Sequence, residues 1–210
     1  MKKGAIININ KNNFINYIKN NKIIIMLTAA FIIGIALGSI LFLRSNIAAD
    51  FAKDLFTSFL NNRQGRGFFK IFSYSFKLRF LILLCCFLSG SSLMGVVFVP
   101  STVIFSGFVY GALSAYVYHS HLLKGIAFNA LIIIPAATLF IISLLLAAVK
   151  SIYFSFEFIK LVFPNSRPIN LFVSFKEVCG YYLIYLSVAL CSAVIDALLS
   201  KALISYFEFV

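Results

Sequence analysis

FLILLCCFLSGSSLMGVVFVPSTVIFSGFVYGALSAYVY, residues 80–118, runs thirty-nine positions without a charged side chain. A membrane-crossing helix needs about 20 apolar residues, so this stretch is too long for one crossing and suits two. Pro100 lies near its middle and cannot continue a helical hydrogen-bond ladder. The expected arrangement is a transmembrane hairpin, Phe80–Phe98 and Ser101–Tyr118, turned at Val99-Pro100-Ser101.

The rest of the chain agrees with a bilayer as solvent. Of 210 residues, 62% are hydrophobic and 11% charged, and the mean hydropathy is +1.02. Soluble domains are about 45–50% apolar and about 25% charged. Ile23–Leu43 is too long for the apolar core of a cleavable signal and reads as an uncleaved first helix. Gly125–Val149 and Tyr181–Ser200 supply two more spans. All are too long and too non-alternating for barrel strands, so the fold class is all-α, a polytopic membrane helical bundle. A sixth crossing around Phe154–Phe163 is not expected, because that stretch is short and holds Glu157 and Lys160.

The layout is then a basic tail (1–22), five spans (23–43, 80–98, 101–118, 125–149 and 181–200), connections at 44–79 and 150–180, and a tail at 201–210. In the first connection, Asp50–Asn62 carries Phe51, Leu55, Phe56, Phe59 and Leu60 on one helical face, with Asp50 and Asp54 near its start. Gly67–Phe76 and Ser151–Lys176 are aromatic and basic. These segments read as amphipathic helices on the membrane surface, with packing against the bundle as the alternative. Lys2, Lys3, Lys11, Lys19 and Lys22 precede the first span, against Arg44 and Lys53 beyond it, which puts the amino terminus in the cytoplasm. The whole-chain count, nine basic residues on each side, does not add to that.

The net charge of +12 is spread along the segments that flank the spans and suits anionic lipid headgroups, not nucleic acid. Cys85, Cys86, Cys179 and Cys191 lack metal spacing and read as small apolar filler. His119 and His121 sit in a short turn at His119–Lys124 with no carboxylate or thiol beside them, a poor metal site. No nucleophile–base pair or phosphate-cradling loop is legible, so neither enzyme activity nor a cofactor is expected.

The informative residues are small ones. Gly34 and Gly38, Gly107 and Gly111, and Ser91 and Gly95 are each four apart, and Gly90 adjoins the last pair. Such spacing lets helix backbones approach closely, either within one subunit or against a partner or second copy in an oligomer. Asn129 precedes Pro135 by six positions and can bond across helices beside a proline kink. Asp196 is the acidic residue inside a span; Lys201 is near enough to approach it, and a structural polar contact or ion work are both open to it.

The chain resembles the stage II sporulation protein M family. The similarity runs through Phe59-Leu60-Asn61-Asn62, Leu88-Ser89-Gly90-Ser91-Ser92, Ser106-Gly107-Phe108-Val109-Tyr110-Gly111 and Asn129 to Pro135-Ala136. Many members carry an acidic residue just before that proline; here Ile132-Ile133-Ile134 stand there. The resemblance implies a non-enzymatic membrane scaffold in the mother-cell engulfing membrane. It would recruit the peptidoglycan hydrolases among the stage II sporulation proteins, D and P. On that reading Gly90, Gly95, Gly107, Gly111, Asn129 and Pro135 form the docking surface. A small transport component, such as the substrate-binding subunit of an importer, is the alternative, and it requires polar groups in a midplane cavity.

Overall fold

A computed structural model describes residues 22–162 and 171–207. Most of the basic tail, the Pro164–Pro168 part of the second connection and the last three residues lie outside the described residues. The elements of the described chain are all helical: α1 Lys22–Arg44, α2 Asn46–Asn61, α3 Phe68–Gly90, α4 Gly95–Phe128, a π turn Asn129–Ile133, α5 Ile134–Val162, α6 Leu171–Leu203 and a final 3-10 turn Ile204–Tyr206. Four helical stretches are long and apolar enough to cross a membrane, and the third, Gly95–Lys160, spans 66 residues. That stretch folds back on itself. At Leu122 the backbone turns to φ 44°, ψ −124°, and Gly125 returns against the Val117 carbonyl. The reversal falls inside the expected His119–Lys124 turn and divides the stretch into two arms.

The first hairpin turns elsewhere than at Pro100. α3 ends at Gly90, Ser91–Met94 form the turn, and α4 begins at Gly95. The Ser91 N–H donates to Phe87 and Leu88 carbonyls, and Gly95 N–H donates to Ser92 O. Gly90 and Gly95 lie in contact, and the Ser89 carbonyl fills the place of a Gly95 side chain. Pro100 is the sixth residue of α4, where its missing N–H costs only one ladder bond, the one to Val96. Small and hydroxyl residues, which can close a tight turn, outweigh a proline that a helix beginning can accommodate. Ser91 and Gly95 therefore straddle a turn and do not share a helix face.

The expected surface helices behave differently from one another. Gly67–Phe76 merges into α3, which runs unbroken from Phe68, and Phe68, Phe72 and Phe76 stack along one side. Ser151–Val162 continues α5: Ser151, Ile152, Phe154 and Ser155 are buried, with Ser151 filling the notch over Gly90. Its aromatic content serves packing, as Phe154 meets Phe158 and Phe175. α2 ends one residue from the expected stop, but it begins at Asn46, which moves Asp50 and Asp54 out of the first turn. Its Ala52 and Phe56 are buried, and Phe56 packs with Val117, Phe128 and Ile204. α2 is thus clamped across one end of the bundle.

Contacts fix the directions. Gly34 meets Ile104 and Gly38 meets Phe108 and Ala112, so α1 and the first arm of α4 run parallel. α3 and α5 run against them, and α6 is antiparallel to α5, as shown by the Ser143–Tyr185 and Ser192–Ala136 hydrogen bonds. Five arms alternate in direction around a core that includes Phe140, Leu144 and Leu83.

Candidate functional site

The glycines make one seam. A Cβ at Gly34 would fall on the Ile104 carbonyl, at Gly38 on Phe108 O, at Gly107 on Phe31 O and at Gly111 on Ile35 O. Each helix sets its pair into the backbone of the other, and Ser39 Oγ donates to Gly111 O at 3.3 Å. Close backbone approach gains dispersion contacts where lipid supplies no hydrophobic drive. All four glycine faces are consumed inside the subunit, and Gly90 and Gly95 likewise pack on Ser151 and Ser155 of α5. These residues hold the bundle together; they do not present an outward docking surface.

Asn129 is buried at the point where α4 gives way to the π turn, and its amide donates to Ser114 Oγ and Tyr118 Oη. Those partners sit on the preceding arm, so the side chain ties the two arms together. Pro135 follows directly. The Ile134 N–H reaches back to Asn129 O, five residues away, in the widened π geometry that absorbs the proline's lost donor.

Asp196 lies at the centre of a buried polar cluster. Its Oδ2 accepts from Arg63 Nη2 at 2.7 Å, from Ser75 Oγ at 2.6 Å and from Arg79 Nη2 at 3.3 Å. Arg63 also donates to Ser75 and Ser200, and its guanidinium covers the Phe59 ring at 3.5 Å. Burial lowers the Arg63 pKa while the Asp196 carboxylate raises it, and a guanidinium stays cationic through such changes. Lys201, the partner suggested by proximity in sequence, is exposed. A helix places residues five apart on different faces, whereas α2's end and α3 deliver Arg63, Ser75 and Arg79 to the face Asp196 occupies.

The cluster closes one end of a cavity of about 680 Å³ between α3 and α4. Leu81, Cys85, Phe98 and Phe105 line it together with the hydroxyl-bearing Ser101, Thr102, Ser106 and Tyr110. Among the described residues the charges do not balance: two arginines face one carboxylate, and Arg79 Nη1 is buried without a hydrogen-bond partner.

A family model described as Stage II sporulation protein M matches residues 26–201. The chain belongs to that family. No curated protein and no solved structure gives a match. The family match runs from α1 to α6 and takes in the glycine seam, the π turn and the whole arginine–aspartate cluster. In this stage II sporulation protein M family chain, no group of three metal-ligating side chains comes together among the described residues. The sequence singled out Asp196, Asn129 and the glycines but missed Arg63, Ser75 and Arg79. Arg79 immediately precedes the uncharged run and so reads as an interfacial anchor. Only the extension of α3 back to Phe68 reveals it as the twelfth residue of a 23-residue helix.

Proposed function

We propose that this sporulation-family membrane protein is a non-enzymatic scaffold that holds peptidoglycan-remodelling enzymes at the membrane, with the stage II sporulation hydrolases D and P as its partners. The observation that carries this reading is the position of α2. Phe56 and Ala52 lock the helix onto the end of the bundle, while Asp50, Lys53, Asp54 and Thr57 face outward. A rigid, charged helix fixed to a membrane anchor offers a folded extramembrane enzyme a defined contact. The glycine seam contributes rigidity beneath it, and the amino terminus is assigned to the cytoplasm, so that α2 lies on the side where wall enzymes work.

The test is a pull-down of the tagged full chain from mildly solubilised membranes during sporulation. Wall hydrolases should be retained by the wild type and lost on Asp50→Lys, Lys53→Glu and Asp54→Lys together, with the thermal unfolding of the protein unchanged. Recovery of equal hydrolase with the triple variant would remove α2 as the docking element. A transport component instead would draw on the cavity beside Asp196 and would co-purify with an ATPase.

A further inference from the structure

The groove between α3 and α4 contains more positive charge than its own residues neutralise. Arg63 and Arg79 reach the cavity with Asp196 as their single acidic partner among the described residues, and no other charged side chain of those residues lines it. Asp196 Oδ2 already accepts three hydrogen bonds, both arginines among their donors, and Oδ1 accepts one from Ser200 Oγ at 3.4 Å; a single negative charge is thus shared between two guanidinium groups. Arg79 is 8% exposed, yet its Nη1 donates to nothing among the described residues. A buried guanidinium with a spare fork wants an anion, and phosphate geometry matches that fork.

The remainder of the cavity excludes a small soluble anion as the natural fit. The rest of the wall is mainly apolar, with Leu81, Cys85, Phe98 and Phe105, and the Ser101 and Thr102 hydroxyls there are spent on the Val97 and Phe98 carbonyls of their own helix. Leu78, Leu81, Phe98 and Phe105 are exposed, at 47%, 55%, 55% and 62%, so the groove opens sideways from the bundle. Lining residues run from Tyr74 to Cys85 on α3 and from Phe98 to Leu113 on α4, about 16 Å and about 22 Å at the helical rise. That is a slot with a cationic end and a long apolar floor, and its volume of about 680 Å³ is ample for part of a lipid.

We propose that this groove binds an anionic lipid, its phosphate at the cationic end formed by Arg79 and Arg63 and its acyl chain along Leu81, Cys85, Phe98 and Phe105. Binding completes the charge balance of the buried cluster. It also occupies the side opening, so the lipid acts as a sixth packing element between α3 and α4. The cavity also meets α2 through Leu55, Ser58 and Phe59, whereas the enzyme contact is assigned to the outward charges Asp50, Lys53 and Asp54, so the two sites use different residues of that helix.

The full chain, purified in mild detergent and offered equal amounts of dioleoyl phosphatidylglycerol and dioleoyl phosphatidylcholine, is read by native mass spectrometry. The wild type should retain phosphatidylglycerol with about tenfold preference: both lipids offer the phosphate, but phosphatidylcholine also brings a choline cation against the surplus positive charge. Arg79→Met should bring the two lipids to parity. Ser101→Trp, on the exposed groove wall away from the cluster, should cut phosphatidylglycerol retention about tenfold with thermal unfolding unchanged. Excess inorganic phosphate should leave the lipid in place. Equal retention of the two lipids by the wild type overturns the proposal, as does undiminished preference in Arg79→Met. Displacement by inorganic phosphate would make it a free-anion site and overturn the lipid assignment. If Arg79→Met does not fold, wild-type retention by the Ser101→Trp variant is decisive against the groove.

Discussion

Asp196 on the last helix and Arg63 at the end of α2 form a 2.7 Å ion pair across 133 positions of sequence, with both side chains about 5% exposed. The pair fastens the extramembrane clamp to the bundle. Removing the carboxylate leaves two buried guanidinium groups without a counter-charge, which costs more than the pair itself contributes. Asp196→Asn should destabilise the protein by about 3–5 kcal/mol. Arg79→Met in the same background should recover part of the loss, because it removes one of the two orphaned charges. Reversible unfolding in mixed micelles, run as a double-mutant cycle, measures both; additive costs would show that Arg79 and Asp196 do not share an interaction.

The glycine seam predicts opposite outcomes for similar substitutions. Gly111→Ala places a methyl on the Ile35 backbone, which cannot yield as a flexible side chain would, and α1 must move away from α4. Overpacking of this kind costs about 1–3 kcal/mol. A methyl group added at Gly180 in α6 would meet nothing within 4 Å, so Gly180→Ala should stabilise its helix by up to about 1 kcal/mol. Unfolding midpoints of the two variants should shift in opposite directions. A loss of hydrolase binding in Gly111→Ala would follow from the displaced bundle, since that face meets α1 and not a partner.

Apolar length and small-residue spacing made the class of the fold and its tightest contact legible in the sequence. A stretch of thirty-nine uncharged residues demands a bilayer and a reversal, and glycines four apart mark where backbones touch. The position of the reversal was not legible from Pro100, because a proline six residues into a helix costs one hydrogen bond and a Ser/Gly run closes a turn at no such cost. The polar cluster was half visible. Asp196 stands out because a charge in a span is expensive, but Arg63 and Arg79 look like flanking anchors until the helix boundaries around them are known. Long-range ion pairs leave no periodic trace in sequence.

Asn129 should prove a joint and not a spare polar group. Its amide holds Ser114 and Tyr118 on the neighbouring arm, and replacement by leucine leaves those hydroxyls to find other partners. Asn129→Leu should cost about 1–3 kcal/mol, the penalty for buried polar groups left unpaired. Pro135→Ala restores a backbone donor and should let the π turn relax toward regular α-helix, with little loss of stability. Amide hydrogen exchange over Asn129–Ile133 distinguishes the two: faster exchange is expected in Asn129→Leu and slower exchange in Pro135→Ala.

Phe56 should control whether α2 stays docked. Its ring lies against Tyr116, His121 and Phe128, and it is 3% exposed. Truncating a buried phenylalanine costs about 3–5 kcal/mol where the site cannot collapse. Here the cost falls on one clamp, since the spanning helices retain their own core around Phe140 and Leu144. Phe56→Ala should therefore loosen α2 without unfolding the bundle, and Arg63 should become accessible along with it. Arg63 is buried in the folded protein, whereas Arg66 three residues later is exposed. Trypsin should cut the wild type after Arg66 and the variant after both. An unchanged digest in Phe56→Ala would mean that the Arg63–Asp196 pair alone holds the clamp, and Asp196→Asn should then produce the cut after Arg63 that Phe56→Ala did not.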